Sequence, residues 1–141
     1  GVFICKIFDI FSEVTQKMLY ILYLSYETIV FYKPCISRLS NSEKYIVCTD
    51  FRGYNKTLVN KMIRDFGDTN IDITMDLNFM NMIYNYNSVY SINQMDQINI
   101  GIDLINQNKI RKYPSKEQIN YATNWCTKYG IPLNANCFYL N

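Results

Sequence analysis

Apolar and polar positions change rhythm along the chain, and each change predicts a different element. From Val2 to Phe8, β-branched and aromatic residues fall on both alternating sides, the pattern of a strand buried inside a sheet. Ser12 can cap a helix whose apolar positions (Val14, Met18, Leu19, Leu22, Tyr23, Tyr26) keep a helical period. Thr28 to Tyr32 returns as a strand, which Pro34 ends. Ile36 to Ser42 is polar loop, and Lys44 to Thr49 is the next strand. The short connection sets it antiparallel to its predecessor.

Beyond a turn at Asp50–Asn55 that contains Arg52-Gly53, the rhythm becomes helical. Leu58, Met62, Ile63 and Phe66 predict one helix, with Gly67 as its stop. Residues 71–90 are ambiguous: Ile71, Ile73, Met75 and Leu77 alternate, whereas Phe79 to Tyr84 fits a helix equally well. Ser91 to Asn106 is a helix with Ile92, Met95, Ile98, Ile102 and Ile105 on one face. Ser115 and Gln118 form a capping box for a last helix with a stripe of Ile119, Ala122, Cys126 and Tyr129. Gly130 and Pro132 close it. The expected organisation is a half-sheet over residues 1–50 followed by a mainly helical extension over 51–141. No internal repeat accompanies it.

Composition narrows the function classes. With 49% apolar residues in 141, the chain can bury a core. A net charge of +2 argues neither for nor against a nucleic-acid partner, since a local basic groove needs no large total. Five irregularly spaced cysteines and no histidine exclude a disulfide framework and a structural zinc site as readings. They fit a reducing compartment, the cytoplasm being the expected one and the nucleus the alternative. Met18 to Tyr26 is too short to span a bilayer, so no membrane partner is expected. The chain starts at Gly1, directly at a strand, and is therefore expected to be the C-terminal part of a longer protein.

Two charged residues stand out against this pattern. Lys6 lies within an apolar strand, which is costly unless it sits at the strand's end and reaches a cleft. Glu43 stands at the mouth of the Tyr45-Ile46-Val47-Cys48 strand, after a loop carrying Ser37, Arg38, Ser40, Asn41 and Ser42. Taken alone, Lys6 reads as a snorkelling cation, Glu43 as a solvated carboxylate and the loop as ordinary polar surface. Tyr84, Tyr86, Tyr90 and Trp125 read first as partly buried aromatics, with base stacking as the alternative.

Together, Gly1-Val2-Phe3-Ile4-Cys5-Lys6 and Lys33-Pro34-Cys35-Ile36-Ser37-Arg38, followed by Glu43-Lys44-Tyr45-Ile46-Val47, resemble the end of FtsJ-type RNA 2′-O-methyltransferases. The resemblance covers about residues 1–50. It implies an α/β fold, the C-terminal half of a Rossmann-like methyltransferase sheet. It implies that Lys6 and Glu43 are the catalytic half of a Lys-Asp-Lys-Glu set, with Lys6 deprotonating or steering a ribose 2′-hydroxyl. A second cation nearby would lower the lysine's pKa and leave part of it neutral. Lys33, Ser37, Arg38, Ser40 and Ser42 would bind the RNA, with Lys33 and Arg38 on phosphates.

S-adenosylmethionine is the implied cofactor. Its glycine-rich turn is expected upstream of Gly1, as are the other two members of the set, so no cofactor-binding residue is assigned in this chain and the isolated chain should neither bind it nor act. The implied partners are RNA, most of all capped mRNA, and the remainder of the same protein. The Asn/Gln-rich helices of the tail are similar to extensions of viral and eukaryotic cap-type members. The competing expectation is a non-catalytic RNA-binding or scaffold module derived from the same fold.

Overall fold

The computed structural model describes residues 1–65, 72–109 and 112–140. Its elements are β1 (Phe3–Ile7), α1 (Glu13–Ser25), β2 (Tyr26–Tyr32), β3 (Lys44–Phe51), α2 (Lys56–Arg64), α3 (Leu77–Asn106) and α4 (Lys116–Lys128). The fold is mixed α/β, with one three-stranded antiparallel sheet in the order β1-β3-β2. β3 pairs antiparallel with both neighbours, Lys6 opposite Tyr45 on one side and Phe31 opposite Ile46 on the other. β1 and β2 therefore run parallel, as the intervening helix α1 requires, and β3 is inserted between them.

Period-two parity divides the sheet. Lys44, Ile46 and Cys48 of β3 are buried, while the residues between them are only partly covered. On the buried face Ile46 and Cys48 join Ile10, Leu19, Tyr20, Phe79 and Ile83 in one core. Cys5 is partly buried against it and Cys48 is fully buried, where burial, with Cys5 nearby, pushes the Cys48 thiol up. All five cysteines are free. β1 departs from the expectation of a fully buried strand: among the described strands it is hydrogen-bonded only to β3, and Val2, Phe3, Ile4 and Phe8 are exposed.

α1 begins where expected, its Thr15 amide donating to the Ser12 hydroxyl oxygen at 3.2 Å. Its buried arc centres on Leu19, Tyr20 and Ile21, so Met18, expected inside, is exposed. The reason is the company α1 keeps. Tyr20 and Tyr23 pack their rings on Phe79, with centroids 5.0 and 5.3 Å away, which turns that arc toward α3. The ambiguity over residues 71–90 resolves in favour of helix from Leu77. Asp76 caps it, accepting from the Phe79 amide at 2.8 Å and from the Tyr20 hydroxyl at 3.1 Å.

α2 starts from Asn55, whose side chain accepts from Leu58 N. Phe66 and Gly67, expected to finish this helix, lie outside the described residues. The chain separates into two compact units, 1–98 and 99–141. The rhythm change placed a boundary at Asp50 instead. The physical difference is that Phe79 and Ile83 complete the core under the sheet, which draws the first part of α3 into the first unit.

In the second unit α4 carries the Ser115–Gln118 capping box. It ends with Gly130 at φ +64°, where Ile131 N donates to Cys126 O at 2.9 Å and Gly130 N to Thr127 O at 3.3 Å. This is a Schellman closure, and it requires the left-handed conformation that glycine adopts without strain. Trp125 packs on Tyr129 at 5.0 Å. Ile92, Met95, Ile102 and Ile105 on α3 are exposed.

Candidate active site

On the less covered face of the sheet, β1 and β3 bring Lys6, Tyr45 and Glu43 together. Lys6 lies directly across from Tyr45, and Glu43 is two residues earlier along the same edge of β3, so all three project to one side. Lys6 Nζ is 3.4 Å from Glu43 Oε2, with the lysine side chain 47% exposed and the glutamate 23%. The Tyr45 hydroxyl donates to the other carboxylate oxygen, Oε1, at 3.2 Å. The Phe8 ring lies 5.3 Å from Nζ. A half-exposed pair of this kind contributes only about 0–1 kcal/mol to stability, so the fold does not need it.

The loop that delivers Glu43 is built from short turns. Ser37 N donates to Pro34 O at 2.9 Å, Asn41 N to Arg38 O at 3.0 Å, and Glu43 N to Asn41 Oδ1 at 3.1 Å. Pro34, Ser37, Arg38, Asn41, Glu43 and Tyr45 line a shallow cleft of about 270 Å³ beside the pair. Arg38 is exposed on its rim; in the same loop Ser40 is exposed, and Ser37 and Ser42 are half-buried.

Lys33 does not belong to that rim. Its ammonium donates inward to Asn41 O at 2.6 Å, Glu43 O at 2.7 Å and Ser37 Oγ at 3.2 Å, which uses all three of its protons. A phosphate contact by Lys33, expected from the sequence, would have to break these bonds. Of the two basic residues expected at this rim, only Arg38 is exposed on it.

Sequence reasoning passed over Lys44. It is 1% exposed on the core face, and its Nζ donates to Phe8 O at 2.6 Å and Ser42 O at 3.1 Å beneath the Tyr90 ring, 4.3 Å from the centroid. Burial pushes the Lys44 ammonium below its ordinary pKa; Asp9 opposes the shift and the neighbouring Lys33 charge adds to it. The lysine beside a second cation is thus Lys44, whereas Lys6 faces a carboxylate. Parity was the available signal, since Lys44 shares the face of Ile46 and Cys48.

Tyr86 and Tyr90, expected first as partly buried aromatics, are packed. Tyr86 lies 4.5 Å from Phe31 and 5.9 Å from Tyr90, while Tyr84 is exposed. Among the described residues no group of His, Cys, Asp and Glu could hold a metal, and no helix is long and apolar enough to cross a membrane.

This geometry lies within a segment that has known counterparts. Residues 1–51 match the FtsJ-like methyltransferase family. They include β1, α1, β2, β3 and the Lys6–Glu43 pair. The chain is 35% identical over 82 residues to the cap-specific mRNA (nucleoside-2′-O-)-methyltransferase 1 of Xenopus laevis, an alignment covering 53% of this chain and 10% of the relative. To the protein of that name in Dictyostelium discoideum it is 31% identical over 106 residues, covering 67% of this chain and 14% of the relative. To that of Danio rerio it is 46% identical over 48 residues, covering 34% and 6%.

The chain thus spans a small part of these relatives, all from cellular organisms, which lend no support to a viral source. FtsJ-like methyltransferases use S-adenosylmethionine in general. In this chain the described glycines Gly1, Gly53, Gly101 and Gly130 are isolated, and no described strand runs through a glycine-rich turn into a helix. The described residues therefore offer no cradle for that cofactor.

Proposed function

We propose that residues 1–51 are the closing strands of a Rossmann-like methyltransferase sheet. In this reading Lys6 and Glu43 serve the ribose hydroxyl in 2′-O-methylation of RNA, with capped mRNA as the substrate class. The observation that carries it is the 3.4 Å approach of Lys6 Nζ to Glu43 Oε2 on the open face, inside the FtsJ-like segment. That the similar proteins are named as cap-specific mRNA methyltransferases supports the choice of substrate.

A ribose hydroxyl is a weak nucleophile at neutral pH. It becomes competent when oriented and when a base receives its proton as the new O–C bond forms. The half-exposed Lys6 ammonium first releases a proton to solvent; its amine then receives the hydroxyl's, and the Glu43 carboxylate stabilises the resulting ammonium by charge. Tyr45 holds the carboxylate from its far oxygen. Arg38, on the rim of the adjoining cleft, is suited to grip the phosphate of the same nucleotide with two N–H groups. S-adenosylmethionine would supply the electrophilic methyl, with its S–C bond broken as the O–C bond forms; the described residues show no cradle for it.

The test is single-turnover methyl transfer to capped RNA by the full protein carrying this chain, with cofactor affinity and thermal melts measured on each variant. Lys6→Ala should lower the rate by about 10²–10⁴-fold at unchanged cofactor affinity. Lys6→Arg should fail as well, because a guanidinium stays protonated at working pH. Turnover of Lys6→Ala near the wild-type rate would remove the pair from the reaction, and no transfer by the wild-type protein would leave the non-catalytic RNA-binding module as the reading.

A further inference from the structure

Helix α3 lies wholly outside the family-matched segment, yet it grips both loops that flank the Lys6–Glu43 pair. Asn87, Tyr90 and Gln94 are spaced three and four residues apart and so share one helix face. Asn87 Nδ2 donates to Ile10 O at 3.2 Å, in the loop that follows β1. The Tyr90 hydroxyl donates to Asn41 O at 2.7 Å, and Gln94 Nε2 to Ser40 O at 3.1 Å, in the loop that delivers Glu43. Each contact is to a backbone carbonyl, so each fixes where a loop runs.

Between these loops lies the Lys44 ammonium. Its bond to Phe8 O takes hold of the chain two residues after Lys6, and its bond to Ser42 O takes hold one residue before Glu43. One buried cation thereby links the strand of Lys6 to the loop of Glu43. The Tyr90 ring covers it, at 4.3 Å from Nζ to the centroid, and also lies 5.5 Å from Lys33 Nζ. The carbonyls of Asn41, Ser42 and Glu43 all turn inward onto Lys33 or Lys44. With the backbone held inward at these residues, the Glu43 side chain is left on the open face opposite Lys6.

A lysine used only for stability would be a poor choice here. Lys44 lies on the core face with the half-buried Lys33 charge nearby, where a well-packed apolar residue is often as good or better. What the arrangement provides beyond stability is a fixed distance between two backbone segments.

We propose that Lys44, braced by Tyr90 of α3, is a positioning residue that sets Glu43 against Lys6. This rests on the methyltransferase reading of the pair. It goes further by making the helix beyond the matched segment part of the reaction machinery, acting through Glu43 and touching neither RNA nor cofactor.

The experiment uses the full protein carrying this chain. Single-turnover transfer to capped RNA, RNA affinity, cofactor affinity and melting are measured for Lys44→Met and Tyr90→Phe, each alone and in a Glu43→Gln background, with Lys6→Ala as reference. Misplacing a reacting group by about an ångström costs roughly 100-fold, the loss expected for Lys44→Met. A loss of about tenfold is expected for Tyr90→Phe, which keeps the ring and removes only the hydroxyl. Both affinities should be unchanged, and in the Glu43→Gln background neither substitution should lower the rate further.

Three results overturn the inference. Wild-type transfer rates for folded Lys44→Met and Tyr90→Phe proteins, with Lys6→Ala inactive, sink this inference alone. Equal further losses in the Glu43→Gln background would show that the effect does not run through Glu43. A wild-type rate for Lys6→Ala removes both this inference and the reading beneath it. If Lys44→Met does not fold, Tyr90→Phe decides by the same criteria.

Discussion

Lys6 and Glu43 meet because β3 lies between β1 and β2, not because of anything near either residue in sequence. Lys6 faces Tyr45 across the β1–β3 ladder, and Glu43 stands two residues before Tyr45 on the same side, 3.4 Å from Nζ. Glu43→Gln keeps the shape and the Tyr45 contact but loses the charge. It should lower methyl transfer by about 100-fold or more, while stability changes by no more than a half-exposed pair is worth, about 0–1 kcal/mol. Single-turnover rates and melts on one preparation separate the two effects. A large melting loss with a proportionate rate loss would return the pair to a structural role.

Phe79 is the residue of α3 on which the core depends most. It is 2% exposed and receives the rings of Tyr20 and Tyr23. Phe79→Ala should destabilise by about 3–5 kcal/mol, measured by urea unfolding. Val89→Ala, on the exposed side of the same helix, should stay within about 0.5 kcal/mol. Equal effects would mean that α3 does not pack under the sheet.

Asp76 joins two elements with one carboxylate, capping α3 through Phe79 N and accepting the Tyr20 hydroxyl. Asp76→Ala should cost about 1–2 kcal/mol, and Tyr20→Phe about 1 kcal/mol. The double variant should lose less than the sum, since both remove the same bond. Full additivity in a double-mutant cycle would disprove the link.

Tyr86 gives an alkaline signature. Burial first, and then the neighbouring Tyr90, raise its pKa from 10.0 to about 12. The unfolded chain loses this proton near 10.0 and the folded chain only near 12, so the folded state binds more protons between these values. The stability this group contributes is complete below pH 10 and is lost as pH rises through about 12. The amount is on the order of 2 kcal/mol. Tyr86→Phe should flatten the fall in melting temperature over this range relative to wild type. Parallel curves for the two proteins would show that Tyr86 ionises as it does in the unfolded chain.

What could be read from the sequence was whatever is decided within a few residues. Ser12, the Ser115–Gln118 box and the Gly130 stop are legible because each satisfies backbone groups three to five positions away. The antiparallel setting of β2 and β3 follows from their short connection, and the Lys6 and Glu43 motifs carry the family likeness directly. The tertiary structure decided what depends on register and on distant partners. The same three-strand pairing that exposes Glu43 turns Lys44 into the core, because neighbouring strand residues face opposite ways. Lys33 is drawn from the rim of the cleft by carbonyls of a loop whose path no local rule fixes. Residues 77–98 read as an extension until Phe79 and Ile83 are seen under the sheet, since a helix's period shows that it has an apolar face but not which surface will cover it.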